Sequence, residues 1–156
     1  MGPIITLFFT SITQINHGGP DIVQDTRQKN IIAGLNLKAG KLSISLSDYA
    51  AALILFKHGI SYLGDDKWTS NYDMSIEFYD AATESACVLN KRDDVKIHVQ
   101  ELVDHAKTFD DSLHCKLLVV LCNDMRCLCK GYLSPSTKNL TRSSLFNISQ
   151  ACRSLL

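Results

Sequence analysis

The sequence predicts an all-α protein made of antiparallel helical hairpins stacked as an α-solenoid segment, and three observations predict it. Apolar residues recur at steps of three and four almost throughout residues 3–132, whereas alternation of period two is confined to residues 43–47. The helical stretches are joined by connections of a few residues rich in Gly, Asp and Asn, which favours antiparallel neighbours. Several apolar stripes are wider than one neighbour can cover. Stacked hairpins resolve that by burying one face on the preceding unit and the other on the next.

The elements follow in order. Ile4, Leu7, Phe8, Ile12 and Ile15 make residues 1–20 an apolar N-terminal helix or partial repeat, stopped by Gly18, Gly19 and Pro20. Asp21 is placed to cap a helix over about 22–40, with Ile22, Ile31, Leu35, Leu37, Ala33 and Ala39 on it, and residues 43–47 read as a break. Ser47 or Asp48 caps the next, in which Tyr49, Ala52, Leu53, Phe56, Ile60 and Leu63 form one face. Gly64, Asp65 and Asp66 end it. From Thr69 or Ser70 a further helix carries Tyr72, Ile76, Tyr79, Ala82, Ala86 and Leu89, widened by Met74, Phe78 and Ala81. After a turn at 90–93, Asp93 or Asp94 caps a helix with Val95, Val99, Leu102, Ala106 and Phe109 inward. The last strong helix follows Asp110 and Asp111, carries Leu113, Leu117, Val120 and Leu121, and runs to about Tyr132. Residues 21–132 thus form the helical-repeat domain, and 133–156 a Ser/Thr-rich linker before a short C-terminal helix.

Composition narrows the function. Apolar residues make up 46% and charged residues 21%, as in a globular chain, and 16 basic residues balance 16 acidic ones. That balance gives no electrostatic case for nucleic acid or a membrane surface. The charges are unevenly placed: residues 1–20 carry none, residues 125–156 carry five basic and no acidic ones, and the middle is acidic. The N-terminal apolar run lacks a basic flank and a small-residue cleavage site, and it is far shorter than the roughly 20 residues of a membrane span. A cytoplasmic protein with reduced thiols is therefore expected, Cys115, Cys122 and Cys129 sharing an apolar helix face. Cys122, Cys127 and Cys129 with His114 lack the paired CxxC spacing of structural zinc, so no metal is expected.

Other chemical groups resolve into structure. His17, His58, His98, His105 and His114 are scattered and read as surface or capping residues. Asp65 with Asp66, Asp93 with Asp94, and Asp110 with Asp111 each fall at a helix junction, where carboxylates cap N–H groups and offset the dipole. Trp68 sits between a turn and a helix, where it wedges between successive hairpins, with a partner hot spot as the alternative.

The segment Ala52-x3-Phe56-x2-Gly59-Ile60-x2-Leu63 has the small-large-small spacing of the second helix of a tetratricopeptide (TPR) repeat. Small residues at 52 and 59 let the facing helix approach while Phe56 fills the groove. Five strings then extend the likeness: Leu35-Asn36-Leu37-x-Ala39-Gly40; Tyr49-x-Ala51-Ala52; Gly59-Ile60-x2-Leu63-Gly64-x-Asp66-x-Trp68-x3-Tyr72; Ala81-Ala82-x-Glu84; and Ala106-Lys107-Thr108-x-Asp110. Together, over residues 14–124, they resemble the TPR-like helical-repeat region of large multidomain signalling ATPases. In that family a Ser/Thr kinase-like domain and an AAA- or STAND-type ATPase precede the repeats, and GAF and histidine kinase modules follow. The chain carries no GxxxxGK[ST] loop, no HRD or DFG motif and no phosphoacceptor His box. What the resemblance implies is a non-enzymatic connector without cofactor. It acts by protein–protein contact on an ATPase- or kinase-containing partner and is open to self-association, with Tyr49, Phe56, Trp68, Tyr72 and Tyr79 as the repeat-packing or interaction residues. The alternatives are a small enzyme using Cys or His chemistry, or a truncated gene fragment.

Overall fold

Helical period becomes helix along most of the chain. The computed structural model describes the backbone of residues 2–132 and the side chains of residues 2–120. Its helices are α1 Pro3–Gly18, α2 Thr26–Ser45, α3 Tyr49–Leu63, the one-turn α4 Lys67–Ser70, α5 Tyr72–Val88, α6 Arg92–His105 and α7 Phe109–Tyr132, with no strand among the described residues. The sequence-read linker and C-terminal helix over 133–156 lie outside them.

Two boundaries depart from the sequence reading. Asp25, rather than Asp21, caps α2 by accepting the Arg27 N–H at 3.0 Å, which leaves Ile22 outside the helix and exposed. The supposed break at 43–47 is helical through Ser45, because Ser43 is buried and Ile44 packs on the main core. Four alternating residues fit either period, and packing decides between them. A smaller difference comes at Asn71, whose extended φ of −136° separates α4 from α5.

Both hairpins close with the same turn. After α2, the Asp48 N–H donates to the Ser43 carbonyl at 2.9 Å and the Ser47 N–H to Ile44 at 2.8 Å, with Ser47 at φ 63°. After α5, Lys91 donates to Ala86 at 2.9 Å and Asn90 to Cys87 at 3.0 Å, with Asn90 at φ 60°. These are Schellman turns in which a non-glycine residue occupies the left-handed position. Asp48 then caps α3 by accepting the Ala51 N–H at 3.0 Å. For α6 the N-cap is Lys91 without a side-chain bond; Asp93 and Asp94, expected as caps, instead lie in the first turn, where they face the positive end of the dipole.

Helix directions follow from which residues meet. On α2 and α3, Gly40 faces Phe56 and Asn36 faces Gly59, so the two run antiparallel. Asn30 and Lys41 of α2 meet Asn71 and Glu77 beside or on α5, so α2 and α5 run the same way. Tyr72 and Asp80 of α5 meet Asp111 and His114 of α7, so those two do as well.

The core lies where α2, α3 and α5 converge on Ala33, Leu37, Ala52, Leu53, Phe56, Phe78 and Ala82. Close approach depends on two glycines. A Cβ on Gly59 would sit 2.2 Å from the Phe78 ring, and one on Gly40 would sit 2.2 Å from the Phe56 ring. Small residues on α3 thus admit the neighbouring helices, as the Ala52-Phe56-Gly59 spacing predicts. α1 is fastened by polar groups. Asn16 and Asn36 exchange buried amide hydrogen bonds at 2.8 and 3.0 Å, and the Tyr62 hydroxyl donates to the Ile15 carbonyl at 3.0 Å.

Candidate interaction surface

Four of the five residues singled out from sequence fall in two interior clusters. Phe56 is fully buried in the main core, and Tyr49 is buried on the first turn of α3. Trp68, Tyr72 and Tyr79 belong to a second cluster with Leu102 and Cys115, where α4, α5, α6 and α7 meet. The Trp68 ring is stacked between His105, at 4.8 Å and 1°, and Tyr79, at 5.2 Å and 18°, with Tyr72 edge-on at 6.1 Å. Trp68 is 9% exposed, and its ring contacts lie on α5 and α6. Its indole N–H is buried with no hydrogen-bond partner among the described residues.

Around this stack the polar groups are joined across helices. Glu101 lies 3.7 Å from the Lys67 ammonium and 3.2 Å from His105 Nδ1. Burial, and then the nearby Glu101 carboxylate, push the Tyr79 phenol above its ordinary range. The Tyr72 hydroxyl donates to Asp111 at 2.7 Å and accepts the Lys107 N–H at 2.6 Å, while the Lys107 ammonium lies 3.9 Å over the Tyr72 ring. Bonding to that hydroxyl holds the Asp111 carboxyl below its usual range. Asp111 also accepts the Thr108 N–H at 3.0 Å, and its own N–H donates to the Thr108 hydroxyl at 3.3 Å, a capping box at the start of α7. Asp94 accepts from Lys57 of α3 at 2.7 Å, which lowers its carboxyl. Ser70 donates to the Asp66 carboxylate at 2.9 Å. Asp94 and Asp111 therefore cross between helices, and Asp111 also caps the start of α7, whereas Asp66, expected as a cap, makes no side-chain cap bond to α4.

Two histidines, His98 and His114, depart from surface roles, whereas His105 stays on the surface in the last turn of α6. His98 is 5% exposed and edge-on to Tyr79 at 5.9 Å, and neither ring nitrogen has a hydrogen-bond partner among the described residues. Burial lowers its pKa to about 4. His105 covers the Trp68 face. His114 of α7 bonds Asp80 of α5 at 2.7 Å. Cys115 is a buried free thiol whose pKa burial pushes up to about 11, which removes it as a nucleophile near neutrality. Cys122, Cys127, Cys129 and Cys152 fall outside the described side chains.

Exposed apolar residues occur on α1, α6 and α7, and also at Ile31 of α2 and Ile54 of α3. Ile12 packs inward from α1, while Ile4 and Leu7 on its outer side are 80% and 67% exposed. One inward assignment is corrected here. Phe109 is exposed because α6 stops at His105, which makes Phe109 the first residue of α7. On α7 the buried positions are Ser112, Cys115 and Leu118, so Leu117 and Val120 face outward. Between α6 and α7 a groove of about 650 Å³ is lined by Val95, Ile97, Val99 and Val119, with Lys96, Gln100, Glu101 and Asp104 around them.

The Asn16–Asn36 pair and the Glu101 junction are not legible from spacing. Asn36 falls within a stripe of Ala33, Leu37 and Gly40, which marks it as buried but does not name its partner. No family model, curated protein or solved structure matches the chain. Among the described residues no helix is long and apolar enough to cross a membrane.

Proposed function

We propose that the chain is a non-enzymatic, TPR-like helical-repeat scaffold that acts by protein–protein contact in signal transduction. Its partner is an ATPase- or kinase-containing protein of the kind its five strings resemble. One observation carries the repeat reading. Hydrogen bonds and ion pairs between successive hairpins join residues about one repeat apart: Asn30 to Asn71 and Lys41 to Glu77, separated by 41 and 36, then Lys57 to Asp94 by 37. Tyr72 to Asp111 and Asp80 to His114 follow, separated by 39 and 34. Parallel α2, α5 and α7, and the twice-used Schellman turn, support the same period.

Contact with a partner is supported by Ile4 and Leu7 on the outer side of α1, which belong to a segment without charged residues. The same faces favour self-association at high concentration. The test is quantitative capture by the purified full chain beside an ATPase assay. An ATPase- or kinase-containing partner retained by the native chain, lost by Ile4→Asp/Leu7→Asp with the melting transition unchanged, is the expected result. Intrinsic ATP turnover, or a monomer with no partner above background, overturns the proposal in favour of an enzyme or a fragment without function of its own.

A further inference from the structure

The α6–α7 groove lies where the array, read as a repeat, would seat its next helix. α6 contacts α5 and α7, and an element following α7 would lie against both α7 and α6. We propose that this groove is the docking site of the chain's own C-terminal segment, residues 145–156. In that segment Leu145, Ile148, Cys152 and Leu155 recur at helical steps, with Ala151 and Leu156 beside them, which gives one apolar stripe to set against Val95, Ile97, Val99 and Val119.

Charge and length agree with this occupant. Residues 133–156, which follow α7, carry Lys138, Arg142 and Arg153 and no acidic residue, with Arg153 inside the proposed occupant, whereas α6 carries Asp93, Asp94, Glu101 and Asp104 against Arg92 and Lys96, a formal −2. From Val119 to the end of α7 at Tyr132 is 13 residues, about 20 Å of helix. Residues 133–144 reach about 40 Å when extended, enough to return to the level of Val119. Twelve residues of helix would span about 18 Å, against about 15 Å for the α6 stretch from Val95 to Asp104. This inference uses the repeat geometry but needs no external partner, so it stands or falls separately from partner binding.

The test places a photocrosslinking amino acid at position 97 of the full chain, because Ile97 is 59% exposed and lines the groove. After irradiation and trypsin digestion, the expected product is a link to the peptide of residues 143–153. It should form within monomers at a yield independent of protein concentration. Ile148→Asp, with circular dichroism unchanged, should lower that yield about tenfold, as loss of a single apolar anchor does. Links confined to covalent dimers assign the groove to a second copy. Links to α-helical residues outside 143–153, no link to that peptide, or a yield unchanged by Ile148→Asp also overturn the proposal.

Discussion

Gly59→Ala should destabilise the protein even though alanine is the better helix former. At this position the new Cβ would lie 2.2 Å from Phe78 Cζ and 2.3 Å from Cε1, against about 3.5–4.0 Å for carbon atoms in contact. Phe78 has no exposed surface and meets Phe56 edge-on at 6.2 Å, so its ring cannot swing away without displacing a second buried ring. Overpacking of this kind costs about 1–3 kcal/mol, and the helix propensity of alanine returns at most about 1 kcal/mol. The net loss should be on the order of 1–2 kcal/mol, about 2–8 °C in melting temperature for a chain of this length. Gly34, in α2, provides the control, since a Cβ there meets nothing within 4 Å. Gly34→Ala should therefore stabilise by about 0.5–1 kcal/mol. Thermal and urea unfolding followed by far-UV circular dichroism reads both. The reasoning is refuted if Gly59→Ala is as stable as Gly34→Ala, or if Phe78→Leu fails to relieve the cost of Gly59→Ala in a double-mutant cycle.

Three further outcomes are expected. The neutral ring of His98 is favoured by burial, so the folded protein binds its proton less readily than the unfolded chain. Stability should be full above about pH 6.5 and should fall towards pH 4, by on the order of 3 kcal/mol, and His98→Leu should flatten that part of the profile in urea titrations. An unchanged slope in the variant would place the acid sensitivity elsewhere. Asn90→Gly and Ser47→Gly each place glycine at a left-handed position, φ 60° and 63°, and each should raise the melting transition by relieving about 1 kcal/mol of strain. A lowered transition in both would contradict the turn geometry. Alkylation mapped by mass spectrometry should leave Cys115 unmodified in the native protein and label it on unfolding; native labelling at the rate of an exposed thiol would contradict its burial.

Much of the fold is legible in the sequence because local physics sets it. The α3 stripe, the Asp48 cap and the stop at Gly64 each act through near neighbours. What escaped spacing is set by distant residues. α2 continues through Ser45 because Ser43 is buried and Ile44 packs on the core formed with other helices. His98 is interior because α6 turns that face towards Tyr79, and the helical period around Val95, Val99 and Leu102 does not specify which polar neighbour goes in with them. The α6 stripe reaches Phe109 only if the helix continues through residues 106–108, and it ends at His105. The stacking of His105 on Trp68 joins positions 37 apart in sequence, which no local pattern encodes.

The most direct test of the account separates what holds the array together from what it presents to a partner. Binding of the captured partner should be titrated against native protein, Trp68→Ala and Ile4→Asp/Leu7→Asp, with the folded fraction of each measured under the same conditions. Trp68→Ala should lose about 3–5 kcal/mol of stability while its folded fraction binds as the native chain does. Ile4→Asp/Leu7→Asp should keep the native melting transition and lose binding at least about tenfold. A fully stable Trp68→Ala that no longer binds, beside an α1 variant that binds normally, would contradict the account and make Trp68 the contact residue.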